Sequence, residues 1–165
     1  DGVGHPVSEV AAELQRVVRF CEGEVIRQQA EPDALVWMLR AWLLARTYRD
    51  ACDAAGCLPS RGLSVGLIQR GGQEIEPQKN RAGFRTVGLR VGGRICPEAA
   101  KVESLITGLI GQIRDLTPEE AYRTFEEIHP FADGNGRVGK ILYNWLKGSL
   151  EDPQMPPNFF NCANP

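Results

Sequence analysis

The chain has 165 residues, of which 42% are hydrophobic and 24% are charged, a composition typical of one soluble globular domain with its own core. Its formal net charge of −2 supplies no basic field that would favour nucleic acid or an anionic membrane as a partner. The most apolar run, residues 34–45, is too short to span a bilayer and contains Arg40.

Five cysteines are scattered along the sequence without a Cys-x-x-Cys pair. This pattern indicates reduced, mostly buried thiols, so we expect a cytoplasmic protein, with delivery into a host cell left open. The two histidines, His5 and His129, are too few to predict a zinc site. The first residue is Asp1 rather than Met, which indicates a trimmed N-terminus or a piece of a larger protein.

Two long helices are predicted in the first third of the chain. Residues 8–29 repeat their apolar side chains at close to 3.6-residue intervals, and Gly23 is expected to end or kink that helix. A second helix is predicted over residues 33–55, with Pro32 before it and Gly56 as its stop. Its many Leu, Trp and Met side chains predict burial of most of its circumference.

A short helix is expected around residues 60–69, ending at the Gly71-Gly72 pair and followed by a polar loop over residues 73–81. The next segment, residues 84–95, alternates apolar and polar side chains and then contains two adjacent glycines. This pattern predicts a β-hairpin.

Helices return in the second half, over residues 97–114 and again from Thr117. Thr117 followed by a proline and by Glu120 is a capping-box pattern, and this helix is expected to end near His129. A last helix is predicted between Gly136 and Gly148.

These elements predict a single, mainly helical domain over residues 1–165, with one small hairpin. Within it we expect an N-terminal helix in residues 1–30, a core in residues 31–150 and an irregular tail in residues 151–165.

The segment His129–Arg137, HPFADGNGR, concentrates the side chains that can carry chemistry. Glycines on both sides of Asn135 permit left-handed backbone, and the amides of such a turn at a helix N-terminus form an anion-binding nest. Arg137 adds a forked cation, Asp133 an oxygen ligand suited to Mg²⁺, and His129 a base at neutral pH. The segment therefore predicts phosphoryl or nucleotidyl transfer.

The twelve residues HPFADGNGRVGK resemble the signature of the Fic family, H-x-F-x-[D/E]-G-N-G-R-x-x-R. Residues 82–93, AGFRTVGLRVGG, resemble the hairpin of that family, called the flap, which holds a target segment by β-addition. The resemblance extends over about residues 20–146. It implies a Fic-type helical bundle with the flap beside the active site.

The resemblance also implies a protein adenylyltransferase that moves AMP from ATP, with Mg²⁺, to a Ser, Thr or Tyr hydroxyl of a target protein. The implied base is His129, the implied metal ligand is Asp133, and Phe131 would anchor the loop in the core. The residues implied in nucleotide binding are Gly134, Asn135, Gly136, Arg137 and Lys140. Those implied in target docking are Val87, Gly88, Leu89 and Arg90.

Lys140 departs from the signature, because it replaces the final arginine, keeps the charge and loses the bidentate fork. In many Fic proteins a glutamate in the pattern [S/T]-x-x-x-E-[G/N] pairs with that arginine and inhibits the enzyme. Residues 18–23, VRFCEG, match this pattern except at Val18. They imply self-inhibition by Glu22, which we expect to point toward Lys140.

Three alternatives stay open. The chain can transfer another phosphate-containing group, as a phosphoryl or other nucleotidyl transferase, although Gly136 leaves room for the α-phosphate at the reactive position. It can be a binding module of Fic fold with weak catalysis. An antitoxin-like partner, in place of the N-terminal helix, can be the inhibitor of a toxin or effector of this kind.

Overall fold

The computed structural model describes residues 6–159, so the end of the predicted tail, Cys162 and His5 lie outside it. The described part is mainly helical with one two-stranded antiparallel hairpin, as predicted. Its helices are α1 (Pro6–Arg27), α2 (Ala34–Ala54), α3 (Pro59–Gly62), α4 (Val65–Ile75), α5 (Val102–Gln112), α6 (Pro118–Ile128) and α7 (Asn135–Lys147). None of the helices within residues 6–159 has the length and hydrophobicity needed to cross a membrane.

Helix α7 lies at the centre and packs against α2, α4 and α6. Most of its residues are buried, including Val138, Ile141, Leu142 and Trp145. The indole of Trp145 donates a hydrogen bond to the Pro59 carbonyl, which satisfies its polar atom inside the core. The helix that begins at the predicted anion-binding turn is therefore also the helix around which the core is built.

Gly23 does not end helix α1, since the helix continues to Arg27. A glycine inside a helix costs about 1 kcal/mol relative to alanine, which the packing of Val17 and Cys21 on the same helix offsets. Helix α2 differs from the prediction, because it buries one stripe instead of most of its circumference. That stripe consists of Ala34, Met38, Ala41, Trp42 and Ala45.

The predicted helix over residues 60–69 is in fact two helices, α3 and α4, and the second passes through the two glycines to Ile75. Ser64 caps α4 by accepting a hydrogen bond from the Leu67 amide. Gly72 lies where the helix meets the Phe131 ring, and a Cβ there would be 2.2 Å from a ring carbon. The glycine allows this close approach and does not end the helix.

The capping box forms as predicted, and a hairpin forms at the two glycines, but its strands are shorter than the predicted β segment over residues 84–95. Strands β1 (Arg90–Val91) and β2 (Arg94–Ile95) pair around Gly92 and Gly93, both of which have positive φ. The Thr117 side chain accepts from the Glu120 amide, and the Glu120 carboxylate accepts from the Thr117 amide. A 3-10 turn, Ala99–Lys101, leads into α5, which is shorter than the predicted helix. We call residues 85–97 the hairpin segment.

The four cysteines within residues 6–159 are free, and three of them are buried, as expected for reduced thiols. Cys52 donates from its sulfur to the carbonyl of Cys57, so these two residues contact each other without a disulfide.

Gly72→Ala should destabilise the chain, because its methyl group would overlap the buried Phe131 ring. We expect a loss of about 1–3 kcal/mol in the free energy of unfolding, measured by urea denaturation. Gly71→Ala is the matched control, since a Cβ there meets nothing within 4 Å. The control should be neutral or slightly stabilising through helix propensity. Equal stability of the two variants would mean that the α4–Phe131 contact is not tight.

Candidate functional site

The loop between α6 and α7 begins with a backbone reversal at His129. Its amide still donates to the Phe125 carbonyl, but its own φ of 51° is left-handed and ends the helix. Phe131 is fully buried and packs against the rings of Phe84 and Phe125. This confirms that Phe131 anchors the loop in the core.

The Asn135 side chain holds the loop closed. Its Oδ1 accepts from the Phe131 amide at 2.8 Å, and its Nδ2 donates to the Phe131 carbonyl at 2.9 Å. The side chain is buried, and these bonds use one donor and one acceptor of its carboxamide. Asn135 therefore shapes the turn with its side chain, which leaves its backbone amide as the group available to a ligand.

A cradle of glycine backbone and a buried arginine forms where α7 begins. Gly134 has a φ of 77°, and a Cβ there would lie 2.4 Å from Ile75 Cγ2, so only glycine fits the position. Arg137 lies beside it, buried, with one Nη2···Oε1 contact of 2.6 Å to Glu76. Its Nε and Nη1 are also buried and have no hydrogen-bond partner among the described residues. Buried donors of this kind suit the oxygens of an anion.

Asp133 lies at the mouth of the cradle with its side chain 42% exposed. Its Oδ2 accepts from Lys79 Nζ at 2.6 Å, and its Oδ1 accepts from the Gly134 amide at 2.7 Å. Partial burial disfavours its charged form, but these two bonds outweigh that effect and hold the pKa of Asp133 below its ordinary value. The carboxylate is therefore ionised and reachable, which suits a hard cation that also binds phosphate oxygens.

His129 is half-buried, and its Nδ1 is buried without a hydrogen-bond partner among the described residues. Burial lowers the pKa of His129 below the ordinary histidine value, and the charges of Arg94 and Arg85 lower it further. The nearby Glu126 backbone and the charge of Asp133 act in the opposite direction. The imidazole is thus neutral at physiological pH, as a proton acceptor must be.

Helix α1 covers the far side of the cradle. Lys140 Nζ lies 2.8 Å from Glu24 Oε2, and the Glu24 side chain is completely buried. Gln28, one turn later, lies over Gly136, where a Cβ would be 2.7 Å from its Nε2. The Glu24 side chain of α1 and the Gln28 side chain directly after that helix therefore occupy the space in front of the first turns of α7.

The sequence profile of the Fic/DOC family matches residues 64–146, half of the chain. The chain belongs to the Fic/DOC family. It is also similar to a Fido domain-containing protein of Dictyostelium discoideum, with 34% identity over 80 residues that cover 42% of this chain. The aligned region is 56% of that relative, so the chain spans little more than half the length of the curated protein it matches.

The structure brings together the predicted Fic residues His129, Asp133, Arg137 and Lys140 around one loop, but it contradicts the expected contact of Glu22. Glu22 is exposed, and the carboxylate that pairs with Lys140 is Glu24. A helix turns by about 100° per residue, so side chains two positions apart lie on nearly opposite faces. The pattern match at residues 18–23 therefore selected the wrong face of α1.

We call residues 129–137 the Fic loop. Three residues that contact it were missed by sequence reasoning, namely Glu76, Lys79 and Asn80, in the segment predicted to be a polar loop. Asn80 is buried, donates to the Asp133 carbonyl at 2.9 Å and accepts from the Asp133 amide at 3.3 Å. Glu76 and Asn80 are four residues apart, and the Asn80 amide donates to the Glu76 carbonyl. The sequence contained one indication of their role, because Glu76 and Asn80 have helical spacing and directly follow the apolar face of a helix.

Glu126 is a further carboxylate near the Fic loop. Its Oε1 is buried without a hydrogen-bond partner among the described residues, and a Cβ on Gly139 would lie 2.3 Å from that atom. Burial raises the pKa of Glu126 to about 7, although the charges of Lys140 and Arg94 oppose this. Gly139 thus provides the space for a carboxyl group that changes its protonation close to neutral pH.

The raised pKa of Glu126 makes stability depend on pH. The folded protein binds this proton more tightly than the unfolded chain, so the contribution of Glu126 is lost as pH rises from 4.5 through about 7. Glu126→Gln should remove this part of the slope when free energies of unfolding are measured in urea at several pH values. Glu127→Gln, at a half-exposed neighbour paired with Arg123, should keep the wild-type slope. A slope unchanged by Glu126→Gln would contradict the assignment.

Proposed function

We propose that this chain transfers AMP from ATP to a hydroxyl side chain of a target protein. The observation that carries the proposal is the buried Arg137, whose Nε and Nη1 have no partner among the described residues, beside the N-terminus of α7. A helix N-terminus and unsatisfied guanidinium donors favour phosphate oxygens. His129, a neutral base, begins the same loop.

Within this proposal the backbone amides of Gly134, Asn135 and Gly136 and the guanidinium of Arg137 bind the phosphates. Asp133 fits a Mg²⁺ ion, because Mg²⁺ prefers one or two carboxylates and takes its other ligands from phosphates and water. No group of three metal-ligating side chains exists within residues 6–159, which agrees with a cation bound mainly through the substrate. The ion would supply charge neutralisation for the triphosphate.

The chemical step follows from these positions. His129 accepts the proton of the target hydroxyl, and the hydroxyl oxygen forms a bond to the α-phosphorus. The bond between the α-phosphorus and the bridging oxygen to the β-phosphate breaks, and pyrophosphate leaves with the charge. The donors of the cradle stabilise charge that develops on the phosphoryl oxygens.

A target segment would lie along the hairpin segment, which is exposed at Val87 and Val91. Regular pairing covers only β1 and β2, extended by the Cys96 amide donating to the Leu89 carbonyl. An extended peptide can add to such an edge through backbone hydrogen bonds. This keeps Val87, Gly88, Leu89 and Arg90 as the proposed docking residues.

Transfer of the γ-phosphoryl group is the second candidate, because the same cradle can bind ATP in the opposite direction. Gly136 favours AMP transfer, since it carries no side chain that would fill the reactive position. ATP labelled at the α-phosphate distinguishes the two, because only AMP transfer leaves that label on protein.

His129→Ala should lower the transfer of α-label to protein by about 100-fold or more, the usual loss of a general base. The assay incubates the purified chain and a cell lysate with Mg²⁺ and α-labelled ATP and measures label on protein hydroxyls. Circular dichroism and ATP binding should stay close to wild type, since the described hydrogen bonds of His129 are made by its backbone, which the variant keeps. Undiminished transfer by a folded variant would exclude the mechanism.

We propose further that α1 inhibits this activity through Glu24. The Glu24 carboxylate neutralises Lys140, which the resemblance assigns to the outer phosphates, and it also accepts from Arg27 and Gln28. A phosphate that binds Lys140 has to compete with a carboxylate 2.8 Å away and has to enter a space that Gln28 partly fills. An antitoxin-like partner is the alternative inhibitor.

Glu24→Gln should raise AMP transfer several-fold, because it removes the competing charge at almost constant volume. Glu22→Gln is the matched control two residues away, on the exposed face of the same helix, and it should change nothing. Thermal unfolding should accompany both assays, since a buried lysine that loses its partner costs stability. Equal activity of the two variants, with both folded, would leave an external partner as the inhibitor.

A further inference from the structure

The C-terminal end of α6 has an unusual set of hydrogen-bond donors. The last carbonyls of a helix have no amide partner within the helix and normally bind water or a capping residue. Here Arg94 donates to the carbonyls of Glu126 at 3.1 Å and Glu127 at 2.9 Å. Arg85 donates to the carbonyls of Ile128 at 3.2 Å and His129 at 2.7 Å. Two guanidinium groups therefore satisfy four consecutive carbonyls that lead up to the base.

Both arginines belong to the hairpin segment, and Arg85 also holds that segment together. Its guanidinium donates to the Val87 carbonyl at 2.9 Å and to the Pro97 carbonyl at 2.6 Å, one on each side of the hairpin. Its own amide donates to the Pro130 carbonyl at 2.9 Å. Arg85 is 4% exposed, so these bonds form away from solvent.

These contacts fix a conformation that is unfavourable by itself. His129 is not glycine, yet it has a φ of 51° and a ψ of 64°, and left-handed backbone costs about 1–3 kcal/mol. The bond from Arg85 Nε to its carbonyl and the bond from the Arg85 amide to Pro130 hold both residues of the reversal. Charged donors at a helix C-terminus also interact favourably with the helix dipole.

We propose that Arg85 and Arg94 are positioning residues for His129, and that they join the hairpin segment and the base into one unit. This inference rests on the proposed role of His129 as the base. The strands of the hairpin have two residues each, so the hairpin has little structure of its own beyond these contacts. A target segment bound to the hairpin would therefore contact the same element whose arginines hold the backbone of His129.

The kinetic test compares Arg85→Gln, Arg94→Gln and the control Arg123→Gln, which removes an exposed charge from α6. Arg85→Gln should lower the transfer rate at saturating ATP by about 10-fold or more, because small displacements of a reacting group are costly. Its Kd for ATP should change by less than about 2-fold, since the cradle is untouched. Arg94→Gln should cause a smaller loss of the same kind, and the control none. Rates are measured in the wild-type and in the Glu24→Gln background, so that inhibition by Glu24 does not mask a loss of transfer rate.

Arg85→Lys separates positioning from charge. Lysine keeps the positive charge but not the fork that reaches four carbonyls, so most of the loss in rate should remain. Full recovery by lysine, or wild-type rates in both glutamine variants, would overturn the proposal. If Arg85→Gln does not fold, Arg94→Gln decides, because Arg94 is only partly buried and its removal leaves the Arg85 bonds in place.

A measurement on the imidazole itself is independent of activity. The chain has two histidines, so ¹H–¹⁵N spectra of His129 can be assigned by comparison with His129→Ala. Burial and the charges of the two arginines lower the pKa of His129, and they outweigh the opposite effects of Asp133 and the Glu126 backbone. Arg85→Gln and Arg94→Gln should therefore each raise this pKa, whereas Arg123→Gln should not. An unchanged titration in both variants overturns the positioning role. A raised pKa, with equal label transfer by wild type and His129→Ala, would instead refute the proposed function.

Discussion

The two hydrogen bonds between the Asn135 side chain and the Phe131 backbone are the constraint on which the site depends. The loop has to hold two left-handed residues, His129 and Gly134, within six positions, and neither conformation is favoured by an L-amino acid. The two bonds between the Asn135 side chain and the Phe131 backbone close a turn, and the Phe131 ring of that turn lies in the core. The ring packs against Gly72, so His129 at one end of the loop and the cradle at the other are both tied to one point in the core.

The two buried cations of the cradle, Arg137 and Lys140, each have a carboxylate partner from another element. Arg137 pairs with Glu76 at the end of α4, and Lys140 pairs with Glu24 of α1. These pairs balance the cations of the cradle, because an uncompensated buried charge costs several kcal/mol. The Glu76 pair leaves the Nε and Nη1 donors of Arg137 unused, whereas Lys140 contacts Glu24 through its single side-chain nitrogen.

The elements that local sequence determines were predictable. The Thr117 capping box, the double-glycine turn and the loop of residues 129–137 depend on residues close together in the chain, and all three form as expected. The residues that pair with the loop were not predictable in this way, because they come from distant elements. Glu24 was missed because the rotation of α1 about its axis decides which glutamate faces Lys140. That rotation is set by packing against α2 and not by the motif.

The position of α1 also limits how the cradle can open. The helix that carries Glu24 and leads directly to Gln28 also carries Val17 and Cys21, which are buried in the core. Departure of the whole helix would expose these side chains, and each buried aliphatic side chain contributes about 1.5–3 kcal/mol. Rotation of Glu24 and Gln28 away from α7 would cost only their polar contacts, which entering phosphates can replace on Lys140. Under the proposed function, access for a nucleotide would therefore need only side-chain exchange at the end of α1, with the helix remaining in place.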